Sequence, residues 1–548
     1  MQEFIWLTLP ALWLAGTWLR LYQQARFYQI EEYMSRRYLK WVLNNPRHLR
    51  PARPIGAWLI GLAVAFLMAE APDSPLPLVI VCIAALIGII PQQEREQKKK
   101  LVRTQRVTRI LLAAAAVSAL ALAVSYFGAS FIAPPDIPLI RILTASSIGM
   151  VVYLLAPIWL ISGSLFMQPL EIYLRQRYLN QARRVLAAIN PKIIGITGSY
   201  GKTTTKNFLR DIMSLRFRTY ATPKSYNTLM GISLAINRDL ADDYRSEYFI
   251  SEMGAYVPGE IDRICQLTPP DIAIVTEIGP QHLERFKTLE NTSAAKYEII
   301  KNLKPEGVGV FNWDNVYIQK MVAQGYPHTR LTVSRELNLT QARRQNVTWI
   351  ASDIHESLAG LRFTVTHVES GREAVLRTSL LGEHNVTNLL LCIAVAWHEG
   401  IPLSDIARRI HTLKPAESRL VRQTSAAGIT ILNDAYSANP KGAASALKVL
   451  GMHTDGKRLV ITPGMIELGI MQDAENRKLG KLAAQFATDI VLIGSEQTQP
   501  ILEAIQETHF DMARVRVFET LAESVHWYQQ HLMADDAVLF LNDLPDTY

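Results

Sequence analysis

Gly198-Ser199-Tyr200-Gly201-Lys202-Thr203-Thr204-Thr205 is the segment whose residue types most plainly fit chemistry. Glycines let backbone N–H groups wrap phosphate oxygens. A lysine directly after them reaches terminal phosphates, and a hydroxyl after the lysine is a hard ligand for Mg²⁺. The spacing is G-x-x-G-K-T; the longer P-loop form would need glycine at 196, which is Ile196. The flanks supply the elements such a loop requires. Ile193-Ile194-Gly195-Ile196-Thr197 is a short β-branched run that predicts a buried strand. From Lys206 to Leu215, the apolar residues Phe208, Leu209, Ile212, Met213 and Leu215 recur at helical spacing. Strand, glycine turn, lysine, hydroxyl and helix together are the P-loop arrangement, with nucleotide contacts expected at Gly198, Ser199, Tyr200, Gly201, Lys202, Thr203 and Thr204.

Further along, Phe249-Ile250-Ser251-Glu252 reads as a strand ending in a carboxylate. The run before Gly279-Pro280-Gln281-His282 reads as a second strand, leading to a histidine. After the break at Pro415, apolar runs alternate with helical segments. Strands are expected at 429–433, 458–462, 489–494, 514–518 and 537–542, with helices at 441–450, 474–486, 499–507 and 521–530. This is the pattern of a parallel sheet covered on both faces.

These motifs, in this order, resemble the Mur ligases, ATP-dependent amide ligases of peptidoglycan synthesis, and most of all the branch that adds D-alanyl-D-alanine. The resemblance covers about residues 190–545. It rests on Thr197–Thr203, on Thr222-Pro223-Lys224-Ser225-Tyr226-Asn227-Thr228, and on the segments around Glu252, His282 and Lys296. Phe311-Asn312-Trp313-Asp314-Asn315, Gly382-Glu383-His384-Asn385-Val386-Thr387-Asn388, Arg419 and Asn433-Asp434-Ala435-Tyr436-Ser437-Ala438-Asn439-Pro440 complete it. The resemblance implies a P-loop central domain and a Rossmann-like C-terminal domain. It also implies an acyl-phosphate route: a carboxylate attacks the γ-phosphate of ATP, and an amine then displaces phosphate. Because that first step joins two anions, cations must neutralise the charge.

The resemblance also implies roles for single residues. Thr203 and Glu252 would hold a first Mg²⁺. His282 and Lys296 would form a second metal site, with Lys296 carbamylated by CO₂. Asn312, His384, Asn385 and Asp434 would contact the nucleotide, and Arg419 would reach the γ-phosphate. Lys202, Lys296, His282 and Arg419 are thus the expected catalytic residues. The sequence departs from the family at Ser437, usually Asn, at Gly464, usually Asp, at Arg285, usually Gly, and in its C-terminal tail. The expected partners are ATP, a carboxylate-bearing cell-wall precursor, and an amino acid or dipeptide.

The 548 residues suggest three or four domains. With 49% hydrophobic and 19% charged residues, the chain is neither disordered nor collagen-like. Its three cysteines, Cys82, Cys265 and Cys392, are too scattered for a disulfide framework or a structural zinc site. The net charge of +8 is uneven. Residues 1–190 hold 20 Lys/Arg against 9 Asp/Glu, whereas the rest hold 37 against 40. Basicity confined to the apolar third points to a membrane surface and away from nucleic acid.

That third contains apolar stretches at Phe4–Leu21, Ile55–Ala69, Leu76–Ile90, Ile110–Ala133 and Ile142–Phe166. Basic segments at 23–54, 92–109 and 175–184 alternate with base-free turns at 72–75 and 134–136. Basic loops stay on the cytoplasmic side. The expectation is therefore five spans in a bacterial-type inner membrane, N-terminus outside and catalytic domains in the cytoplasm. The domain plan is an α-helical membrane region at 1–167, a linker at 168–190, a central α/β domain at 191–414 and a C-terminal α/β domain at 415–548. Two other functions are compatible with the motifs. One is a membrane ligase of poly-γ-glutamate type or one acting on lipid-linked precursors; the other is a non-catalytic ATP-binding scaffold.

Overall fold

The computed structural model describes residues 2–68, 76–90, 101–132, 138–223, 226–436 and 438–542. The turns at 72–75 and 134–136, the bases at 95–100, Lys224, Ser225, Ser437 and the tail from 543 fall outside the described residues. The chain divides into two units between Gln176 and Arg177.

The first unit is helical. Its elements are α1 (Gln2–Ile30), α2 (Ser35–Asn44), α3 (Pro46–Leu49), α4 (Ala52–Leu67), α5 (Leu76–Ile89), α6 (Gln105–Ile132), α7 (Pro138–Leu154) and the start of α8 (Ala156–Ile189). Gln105–Ala129 is long and apolar enough to cross a bilayer. The expected fifth span is instead a bent pair, α7 and α8, meeting at 61°, and α4 and α5 are shorter apolar helices. Pro157 explains the bend: it has no N–H, and its ring clashes with the carbonyl four residues back, that of Tyr153. The carbonyls released there find other donors. Arg20 Nη1 donates to Tyr153 O at 2.9 Å, and Trp159 Nε1 donates to Val152 O at 2.8 Å. Residues 168–189, read as a linker from sequence, are helical and lie in α8.

The second unit carries two sheets. The strands of the first are β1 (Lys192–Thr197), β2 (Thr219–Ala221), β3 (Tyr248–Glu252), β4 (Ile272–Val275), β5 (Val308–Asn312), β6 (Thr329–Ser334), β7 (Trp349–Ser357), β8 (Gly360–His367) and β9 (Glu373–Thr378). Their order is β2-β3-β1-β4-β5-β6-β7-β8-β9. Pairing is parallel as far as β7 and antiparallel between β7, β8 and β9. β1 is covered on both faces. Ile194 and Ile196 pack with Phe208, Leu209 and Leu390, while Ile193 packs with Ile299, Ile300 and Leu186 of α8. A strand buried on both sides reads as an unbroken apolar run, which is what residues 193–197 show.

The second sheet holds β10 (Val421–Thr424), β11 (Thr430–Asp434), β12 (Arg458–Thr462), β13 (Asp489–Ile493), β14 (Val515–Phe518) and β15 (Ala537–Leu541), in the order β10-β11-β15-β12-β13-β14. The strands and helices expected beyond Pro415 form within about a residue or two of their expected limits. β10 is an addition: a short, mostly exposed strand pairing antiparallel with β11 at the edge. Its polar sequence, Val-Arg-Gln-Thr, carries no apolar run to betray it.

Candidate active site

The first sheet changes winding direction at β1, with β3 on one side and β4 on the other. In open α/β sheets the crevice beyond the strand ends at such a switch is where ligands bind. The glycine loop fills that position. Gly198 (φ +148°) and Gly201 (φ +81°) both adopt backbone conformations that side chains rarely take. A Cβ on Gly198 would lie 2.0 Å from Thr276 Oγ1, and one on Gly201 would lie 2.6 Å from Asn388 Oδ1. The glycines are therefore required twice over, by conformation and by space.

Lys202 opens the helix α9 (Lys202–Met213) and folds back over the loop. Its Nζ donates to Gly198 O at 2.6 Å and Ser199 O at 3.1 Å. Burial pulls this ammonium down to about 8, against the attraction of Glu252. Thr203 Oγ1 lies 3.1 and 3.0 Å from the two carboxylate oxygens of Glu252. Glu252 is 1% exposed and also accepts from Lys206 Nζ at 3.0 Å and Asn227 Nδ2 at 3.3 Å. Thr203 and Glu252 thus come together as oxygen donors suited to Mg²⁺. Lys206, which the sequence reading overlooked, balances the carboxylate. The signal was present: Lys202 and Lys206 are four apart at a helix start, so they share a face.

Lys296 is 3% exposed on the helix Leu289–Lys301. Among the described residues its Nζ has one long hydrogen bond, to Ala255 O at 3.4 Å, and lies 5.5 Å from the Phe286 ring centre. Burial, then the Lys202 charge, hold this amine well below the ordinary lysine range. His282 turns elsewhere: its Nδ1 pairs with Glu467 of the C-terminal part, and its ring lies 4.6 Å from that of Tyr256. Among the described residues no hydrogen bond joins His282 to Lys296, and no group of three or more His, Cys, Asp or Glu side chains could hold a metal.

A cleft of about 920 Å³ opens beside the loop. Tyr200, Gly201, Thr204, Asn312, His384 and Asn385 line it from the central part, and Arg419, Asp434 and Lys441 from the C-terminal part. Asn312 Nδ2 donates to Thr276 O at 3.0 Å and to Glu277 at 3.2 Å. Glu277 also accepts from Asn315, and at 3.1 Å from Lys441 across the cleft. His384 Nδ1 sits 3.2 Å from Ser445 Oγ, and burial, with Arg335 and Arg419 nearby, lowers it to about 4, so this imidazole is neutral at pH 7.

Arg419 is held between Ser418 (φ +55°) and Leu420 (φ +49°), two side-chain-bearing residues in the left-handed region. Such strain persists only where surrounding contacts impose it. The guanidinium stacks 4.2 Å from the Tyr436 ring centre. Burial raises Asp434 to about 6 even though Arg419 opposes the shift, and its Oδ1 accepts Leu420 N at 3.1 Å. Glu277, Asn315, Lys441 and Glu467 are further site residues without an assigned role in the sequence reading. No local pattern signals Glu277 or Glu467, because their partners lie 164 and 185 residues away.

A glycine loop at the switch point of a parallel sheet, facing a second α/β sheet across a cleft, defines a P-loop protein built for a phosphate-bearing ligand. The Mur ligase middle domain matches residues 196–396, and the glutamate ligase domain of the Mur ligases matches residues 418–542. The chain belongs to the Mur ligases, which are ATP-dependent peptide ligases. It is 28% identical over 360 residues to the UDP-N-acetylmuramoyl-tripeptide--D-alanyl-D-alanine ligase of Bacillus subtilis, covering 66% of this chain and 74% of that one. To the Escherichia coli ligase of the same name it is 29% identical over 348 residues, covering 62% and 74%. Among solved structures, MurF from Acinetobacter baumannii superposes with a TM-score of 0.58 at 25% identity, covering 67% of this chain and 77% of that one.

Proposed function

We propose that this protein is a MurF-type ligase, joining D-alanyl-D-alanine or a similar amine to a muramoyl peptide at the inner face of a membrane. The observation that carries the chemistry is the cleft itself. Tyr200, Gly201 and Thr204 of the P-loop line it, Thr203 with its partner Glu252 sits directly before Thr204 in the chain, and Arg419 reaches it from the closing domain. In this reading residues 191–414 are the ATP-binding domain and 415–548 the closing domain.

The reaction needs a carboxylate oxygen to attack the γ-phosphorus of ATP, with ADP leaving. The amine nitrogen then attacks the acyl carbon, and phosphate leaves with the C–O bond electrons. The N–H groups of the loop orient the phosphates, and Lys202 and Arg419 offset the negative charge that gathers between the two anions. Asn312, His384 and Asn385 line the same cleft, and the neutral imidazole of His384 adds no repulsion to the cations around it. Thr203 and Glu252 would hold Mg²⁺, which supplies further charge neutralisation on the phosphates when bound. Burial lowers the proton affinity of the Lys296 amine, which favours its addition to CO₂ with loss of one proton, and this supports carbamylation of Lys296; His282, paired with Glu467, is not part of that group.

ADP release from UDP-muramoyl tripeptide plus D-alanyl-D-alanine tests the substrates. A protein that binds ATP yet turns over neither would overturn them. The membrane reading rests on α6 and its neighbours: Leu112, Leu120 and Phe127 are each 66% exposed on α6. Wide outward-facing apolar surface of this kind belongs against lipid. The alternation of basic and base-free loops supports an N-terminus outside and about five passes. The same surface favours a second reading, in which the acyl donor is lipid-linked or a growing poly-γ-glutamate chain. ADP release with glutamate but not with the muramoyl peptide would establish the latter.

A further inference from the structure

We infer that α2 lies in the plane of the membrane surface and that anionic phospholipid headgroups are bound by Arg36 and Lys40 of α2 together with Arg47 of the adjoining α3 turn and Arg50 at its end. The inference rests on the membrane reading above. From Met34 to Pro54 the chain carries Arg36, Arg37, Lys40, Arg47, Arg50 and Arg53 and no acidic residue. Arg37 is spoken for, 3.0 Å from Glu31. Arg36, Lys40, Arg47 and Arg50 are exposed, and among the described residues none is in an ion pair. Four unmatched cations on one short segment are a surface for anions.

The apolar residues of α2 settle which kind. Tyr38 and Val42 are buried and attach the helix to the rest of the unit. Leu39 and Leu43, four apart and so on one face, are nonetheless 37% and 57% exposed, and Met34 just before the helix is 48% exposed. Turning about 100° per residue, the row of Leu39 and Leu43 falls between the buried face and the row of Arg36 and Lys40. A helix anchored on one side, with leucines next and bases beyond, has the layout of an interfacial helix, which sits about 5–10 Å into the headgroup boundary. A soluble polyanion would satisfy the bases but leave the leucines in water. A bilayer satisfies both.

The depth agrees. The apolar stretch of α1 ends at Leu21. α2 packs on α1 just past that point: Tyr38 donates to Gln24 Oε1 at 2.8 Å, and Trp41 stacks on Phe27 at 4.2 Å. Three to six residues beyond Leu21 is about 5–9 Å along the helix axis. The segment leading into α6 and its first turn reach the same level, where Arg103 donates to the Tyr22 hydroxyl at 3.1 Å and Arg106 covers the Tyr33 ring at 4.2 Å. Tyrosine, tryptophan and arginine at the end of one apolar helix and the start of another are the residues that mark a headgroup layer. Each base near an anionic surface contributes about 1 kcal/mol of attraction, so four of them make the lipid preference measurable.

The test uses the full chain with Cys82→Ala and Leu43→Cys, labelled with an environment-sensitive dye and placed in nanodiscs of phosphatidylcholine with or without phosphatidylglycerol. Lipids brominated on the acyl chains serve as quencher. Quenching at position 43 should be several-fold stronger with phosphatidylglycerol, and R36Q/K40Q/R47Q/R50Q should return it to the phosphatidylcholine level. The same variant should carry several-fold less phosphatidylglycerol through purification. Equal quenching in both discs, no response to the four substitutions, or dye self-quenching that marks a second copy of the chain on this face would overturn the inference. A probe at Leu120→Cys separates the two claims. If position 120 is quenched and 43 is not, only this inference falls. If neither is quenched, the membrane reading falls with it.

Discussion

The helical region and the α/β region each bury cations, and each keeps them for a different purpose. In the helical unit Arg20 is 4% exposed and gives its protons to two backbone carbonyls, Tyr153 O at 2.9 Å and His48 O at 2.6 Å. The first of those was set free by Pro157. In the α/β unit Lys206 is 1% exposed and faces the Glu252 carboxylate, while the hydrogen bonds of Lys202 and Lys296 among the described residues go to backbone oxygens. A buried cation on carbonyls mends a broken helix. Buried cations gathered around one carboxylate and a glycine loop hold charge ready for an anionic ligand. Position in the fold, not residue type, separates structural from chemical use.

Substitutions can break this contrast, beginning with the largest effect. Lys202→Ala should reduce ATP-dependent phosphate release by about 10²–10³-fold or more, the scale for losing a group that stabilises transition-state charge. The melting temperature should barely move, since no carboxylate loses a close partner. Lys206→Met should do the reverse in emphasis: among the described residues it leaves the buried carboxylate with Thr203 and Asn227 as donors and no cation in contact, which costs about 3–5 kcal/mol and should appear in denaturant titration. Arg20→Met should cost about 1–3 kcal/mol for each carbonyl left bare. It should lower thermal stability in detergent while leaving nucleotide binding intact. A loss of nucleotide binding in Arg20→Met would erase the distinction between the two uses.

The smallest effect is one of pH. His384 is lowered from 6.5 to about 4 in the folded chain. Its contribution to stability is present above the unfolded value and is lost as pH falls from about 6.5 towards 4, because only the unfolded chain takes up the proton. His384→Asn should therefore flatten the fall in melting temperature across that window. An unchanged slope would mean the imidazole is not held neutral.

Much of the site was legible because its parts are local. The G-x-x-G-K-T loop, the strand before it and the helix after it lie within 22 residues, and hydrophobic period plus glycine suffice to recognise them. The C-terminal strands were legible for the same reason, being buried and apolar. What was not legible depends on pairing across distance. β10 is polar and exists because β11 offers it an edge. Glu277 gains its role from Lys441, and His282 is turned toward Glu467, so that it does not meet Lys296. The bend between α7 and α8 sits at a visible proline, yet an apolar run of that length reads as one span until the donors for its freed carbonyls are known.

Residue order alone dictates that a phosphate cradle forms after β1, that two α/β sheets follow, and that an apolar, basic region precedes them. Periodicity, glycine freedom and charge all act over a few residues. Folding assigns the rest: which carboxylate Lys206 neutralises, which side chains face each other across the cleft, and which leucines of α2 are left uncovered. Those outcomes turn on burial and on partners tens to hundreds of positions apart, and electrostatic and hydrogen-bond energies depend on such distances rather than on neighbourhood in the chain.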